Sequence, residues 1–159
     1  GNEQINCFSY GEVFGQFPGS SNSIEFFQEN GTYTAMGFST AGLTARSGNW
    51  AFETAQFDVA GQGPKLMTLS KCPGDFDQDA IEQEMGPNCY EKVAGLTNLL
   101  WKRAGTTGSR CELELDTDYY LNILYSTDPE GTPPAELGWD CNGSEPADCG
   151  NLMVPSVTQ

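Results

Sequence analysis

The chain has 159 residues, enough for one domain that would bury roughly 70% of its unfolded surface, and residues 1–159 are taken as a single β-sandwich domain. Seven lysines and arginines against 22 aspartates and glutamates leave a net charge of −15, a field that repels a phosphate backbone and argues against nucleic acid as a partner. Histidine is absent, which removes His-dependent triads, His metal ligands and the usual near-neutral proton shuttle.

In chain order the residues describe a succession of short strands. Residues 5–17, INCFSYGEVFGQF, form the first, with aromatics at Phe8, Tyr10, Phe14 and Phe17. Pro18 to Ser23 is a loop, and Ser23 to Phe27 a short strand. Asn30-Gly31 is the favoured pair for a tight hairpin into Thr32–Thr40. Leu43–Ala45 and Asn49–Val59 give two further strands separated by Ser47-Gly48, and Trp50, Phe52 and Thr54 alternate with Ala51, Glu53 and Ala55. Lys65 to Ser70 is a strand ending at Cys72. The one helix starts at Asp79, where Asp79-x-x-Glu82 resembles a capping box, and stops at Gly86-Pro87. Residues 93–101, VAGLTNLLW, are an apolar strand; Lys102, Arg103 and Arg110 sit on or beside the loop that follows, as solvated charges.

The clearest pattern spans Cys111 to Ser126. Cys111, Leu113 and Leu115 alternate with Glu112, Glu114 and Asp116, giving one dry and one wet face. Asp116-Thr117-Asp118 is a turn, and Tyr119 to Ser126 is apolar on both faces, so the stretch forms a hairpin with a buried second strand. The spacing Leu113-x-x-x-Thr117-x-Tyr119 resembles a corner in which a Tyr hydroxyl bonds back to nearby backbone. After Tyr125 the chain is irregular, with a last strand or two ending near Met153. Turns roughly every 8–12 residues indicate an all-β fold, a disulfide-stapled β-sandwich or jelly roll of about eight to ten strands with one short helix.

Six cysteines (Cys7, Cys72, Cys89, Cys111, Cys141 and Cys149) contain no C-x-x-C pair, which favours disulfides over a thiolate zinc site. Disulfides imply a secreted or cell-surface location. Short loops close most readily, so the expected pairs are Cys72–Cys89 and Cys141–Cys149, leaving Cys7 with Cys111. With no signal peptide or membrane-spanning run visible, the chain is expected to be a mature or trimmed ectodomain without membrane insertion.

Cys72-Pro73-Gly74-Asp75-Phe76, Cys89, Leu100-Trp101, Cys111-x-Leu113, Tyr119-Tyr120-Leu121-Asn122-Ile123 and Cys149-Gly150 form a set. Together they resemble a family of secreted bacterial, disulfide-containing β-rich domains with a CPGDF…C…W…CxL…YYLN core, over residues 65–155. Asp77 to Glu84 is a charged insertion in that pattern. The resemblance implies a β fold and export, and it brings no catalytic residues.

Asp75-x-Asp77-x-Asp79 spaces carboxylates as a calcium loop does, with Glu82 or Glu84 able to close an irregular Ca2+ site. Ala80 and Gly86 stand where an EF-hand needs Gly and Glu, and the competing role is helix capping by Asp79. Trp50 and Trp101 lie in strand-like segments and suit the core. Trp139, in a loop with Asp140 and Asn142, and Tyr120 on the next strand face are candidates to stack on sugars and bind their hydroxyls.

The expected function is an extracellular binding module for a glycan or surface polymer, not an enzyme. The alternative is a structural or adhesive subunit of a filament, appendage or virion that packs on copies of itself. A small carboxylate-dependent glycoside hydrolase ranks third, because 22 acidic residues supply closely spaced pairs by chance.

Overall fold

The computed structural model describes residues 14–15, 17–19, 24–27, 33–54, 64–94, 97–124 and 150–159. In order these give β1 (Phe14–Gly15), β2 (Ile24–Phe27), β3 (Tyr33–Ser39), β4 (Ser47–Thr54), β5 (Pro64–Ser70), α1 (Gln78–Met85), β6 (Tyr90–Ala94), β7 (Thr97–Arg103), β8 (Cys111–Leu113), β9 (Asp118–Leu124) and β10 (Gly150–Thr158). They build two sheets, ordered β1-β3-β9-β5-β6 and β2-β10-β4-β7-β8. Each sheet has four antiparallel strands and one short parallel strand at an edge, β1 beside β3 and β8 beside β7.

The antiparallel strands pair from the ends of the chain inward: β2 with β10, β3 with β9, β4 with β7 and β5 with β6. Successive pairs alternate between the sheets, and β10–β4 and β9–β5 contacts join them two by two. A long ribbon rolled up in this way is a jelly roll, the architecture expected from the spacing of turns.

Period-two alternation fills the space between the sheets. Phe38, Met67, Leu69, Tyr119, Leu121 and Ile123 from the first sheet meet Trp50, Leu99, Trp101, Cys111 and Leu113 from the second. The Trp50 and Trp101 rings lie 5.7 Å apart, and Phe17 meets Trp101 edge-on at 5.1 Å. Both tryptophans are fully buried, as their strand positions implied, and Trp50 Nε1 donates to the Pro18 carbonyl at 3.1 Å.

Several connections differ from the sequence reading. Cys111–Ser126 is not a hairpin: β8 lies in the second sheet and β9 in the first, and the turn at Asp116 (φ 51°) carries the chain across. Nor are the strands flanking Asn30-Gly31 partners, since β2 and β3 belong to opposite sheets; the dipeptide itself lies outside the described residues. The apolar run 93–101 is divided between β6 and β7, again in different sheets. Leu43–Ala45 is not a strand, because Leu43 N–H turns back to the Thr40 carbonyl at 3.0 Å. β10 continues past Met153 despite Pro155: β2 pairs only with Gly150–Met153, so the proline has a partner strand on one side only and its missing N–H is tolerated there. Of the first expected strand, only Phe14 and Gly15 are paired among the described residues.

The disulfide pattern also differs. Cys89 bonds to Cys111, 22 residues away, overturning the expected Cys72–Cys89 and Cys7–Cys111 pairs. Loop-closure entropy separates the two choices for Cys89 by only about 0.2 kcal/mol, so topology decides. The Cys89 carbonyl accepts from Leu69 N–H beside β5, just before β6, while Cys111 opens β8. The bond therefore joins the two sheets across their adjacent edges, with both cysteines fully buried. Cys72 is also disulfide-bonded; the expected Cys141–Cys149 pair lies outside the described residues.

Replacing Cys89 and Cys111 together by Ala should cost about 3 kcal/mol, the loop-entropy value for a crosslink of this span, measured by denaturant unfolding. Gly48 lies against Trp101; an added Cβ would stand 2.3 Å from the Ser156 carbonyl oxygen and 2.6 Å from the indole. Gly48→Ala should therefore destabilise by about 3 kcal/mol or more. Gly42→Ala, where only the positive φ of 72° opposes a side chain, should cost about 1 kcal/mol.

Candidate functional site

The segment between β5 and β6, KCPGDFDQDAIEQEMGPNC, shapes one face and one end of the sandwich. Its helix starts two residues before the expected point. Asp77, not Asp79, is the N-cap, with an extended backbone and its Oδ1 accepting Ala80 N–H at 2.8 Å. Gly86 ends the helix at φ 82°, its N–H donating to the Glu82 carbonyl. Ile81 is the buried anchor of this short element.

The candidate calcium ligands are accounted for locally. Asp75 Oδ1 accepts Asp77 N–H at 3.2 Å, and Asp77 caps the helix. Asp79 lies exposed in the first turn, where a carboxylate favours the helix dipole. Glu82 accepts from Gln78 Nε2 at 2.8 Å. Among the described residues, no three His, Cys, Asp or Glu side chains converge as metal ligands do.

Residues 72–76 cover the outer face of the first sheet, above β5 and β9. Gly74, at φ 76°, donates its N–H to Asn122 Oδ1 at 2.8 Å. Asn122 Nδ2 in turn reaches Thr68 Oγ1 at 3.1 Å and Ser70 Oγ at 2.7 Å. Those hydroxyls bond the carbonyls of Asp75 and Cys72. A side chain at Gly74 would strike the Tyr33 ring at 2.8 Å, and Tyr33 meets Phe76 edge-on at 5.7 Å. The CPGDF and YYLN segments thus form one clamp, in which Asn122, Thr68 and Ser70 are all fully buried. In the sequence Asn122 stands out only as a member of the YYLN motif, with no role assigned; the signal for its role is a lone amide in a strand dry on both faces, opposite the polar alternation of Thr68 and Ser70.

Of the candidate sugar-binding residues, Tyr120 is only 5% exposed and offers no open ring face. Trp139, Asp140 and Asn142 lie outside the described residues.

A small polar cleft of about 70 Å³ opens where the ends of β5 and α1 meet β8 and the start of β9, lined by Lys71, Glu84, Met85, Glu112, Glu114 and Tyr119. Lys71 Nζ stands 3.7 Å from Glu114 Oε2, and Lys71 N–H donates to Glu84 Oε2 at 3.4 Å. Glu112 pairs with Lys102 at 2.6 Å. The cleft floor is the corner anticipated from the Leu113–Thr117–Tyr119 spacing: the Tyr119 hydroxyl accepts Glu114 N–H at 3.0 Å. Thr40, at the end of β3, fastens that corner, donating to the Glu114 carbonyl at 2.7 Å and accepting Thr117 N–H at 2.9 Å. Burial pushes the Tyr119 phenol above its usual pKa; the bond from Glu114 N–H opposes that rise, and the charges of Glu114 and Glu84 add to it. Tyr119 therefore stays a neutral phenol near pH 7, and the cleft presents carboxylate acceptors beside the Lys71 ammonium, with Glu112 also held by Lys102, a set suited to hydroxyl groups.

No protein-family model and no curated protein matches the sequence. The fold and the cleft define the chain as a disulfide-stapled jelly roll with an acidic polar recess at one end.

Asn122→Ala should cost about 2–3 kcal/mol, because it leaves the Gly74 N–H and two hydroxyls without their buried partner; thermal and urea melts measure it. On β6, burial raises the Glu91 pKa above 4.5. The stability linked to a raised carboxyl is fully present below the unfolded pKa and is lost as pH rises through the folded one. Glu91→Gln should thus melt higher than the parent at pH 7, with the gap closing below pH 4.5.

Proposed function

We propose that this chain is an extracellular binding module whose ligand is a glycan or a hydroxyl-rich surface polymer. The observation that carries the reading is the Cys89–Cys111 crosslink, fully interior and joining the two sheets. A fold fastened in this way belongs in an oxidising compartment such as the cell surface or the medium. The sandwich supplies a rigid support, and the described groups around the cleft are acceptor carboxylates with one lysine. Carboxylates that accept from hydroxyls are the polar half of sugar recognition; for the stacking half the sequence offers Trp139, neighboured in the chain by Asp140 and Asn142, because Trp50 and Trp101 are spent in the core. Binding, not catalysis, is the activity we assign.

A glycan array followed by titration calorimetry tests the reading. The native chain should scatter light as a monomer and retain a defined class of glycan. Trp139→Ala and Glu114→Gln should each weaken binding about tenfold, close to 1.4 kcal/mol, with the melting midpoint unchanged. Failure to retain any glycan or surface polymer would overturn the proposal. Polymers indifferent to sugars would support a structural subunit that packs on copies of itself.

A further inference from the structure

We draw no further inference here: the strongest candidate, the partly exposed outer face of the second sheet carrying Asn49, Ala51, Asn98, Leu100 and Ser156, has nothing in the structure to show what covers it.

Discussion

The constraint on which the structure turns is that β9 must be dry on both faces. At the centre of the first sheet it sends Tyr119, Leu121 and Ile123 inward to the second sheet, and Tyr120, Asn122 and Leu124 outward. The inner face is satisfied by packing. The outer face contains an amide, and a buried amide without partners costs several kcal/mol. The turn at residues 72–76 meets that demand by offering a backbone N–H to Asn122 while two hydroxyls of β5 take its other bonds. Hence the turn needs a glycine at position 74: its backbone sits in the left-handed region and its α-carbon lies against the Tyr33 ring.

The end of the sandwich is fixed by different means. Three devices converge there: the Tyr119 corner, the Thr40 bonds to Glu114 and Thr117, and the Cys89–Cys111 bridge. Each ties an element of one sheet to the strand or corner that leaves the other. Without them, β8 would be only a three-residue parallel strand on an open edge. With them, the glutamates of β8 and its corner are held at defined positions beside Lys71. A polar recess with so little hydrophobic lining owes its shape to these ties, not to packing around it.

Much of the fold was legible in the sequence, for local reasons. Alternation in Trp50, Trp101 and Tyr119–Leu124 marks the core directly, and the Tyr119 corner depends on a spacing of a few residues. Sheet membership was not legible. Asn-Gly at 30–31 and Asp-Thr-Asp at 116–118 announce that the chain turns, but not whether it rejoins its own sheet or crosses to the other. The same limit hid the partner of Cys89, because β6 and β8 become neighbours only once both sheets are assembled. Asp77 and Asp79 are both competent caps by type, and the choice between them rests on which carboxylate reaches Ala80 N–H. Alternation alone offers Tyr120 as an exposed ring, because it tells the face of a strand but not what lies over that face.

The nested pairing also dictates how the chain must come together. β5 and β6 are the innermost pair and can meet early, whereas β2 and β10 lie near opposite ends of the sequence and must find each other across almost its whole length. Contacts dominated by such distant partners make for slow folding, with loop entropy lost before the reward arrives. Until β10 inserts between β2 and β4, both of those strands present unpaired edges, so the interval before its arrival is the one in which a nascent chain is most exposed to sticking to its neighbours.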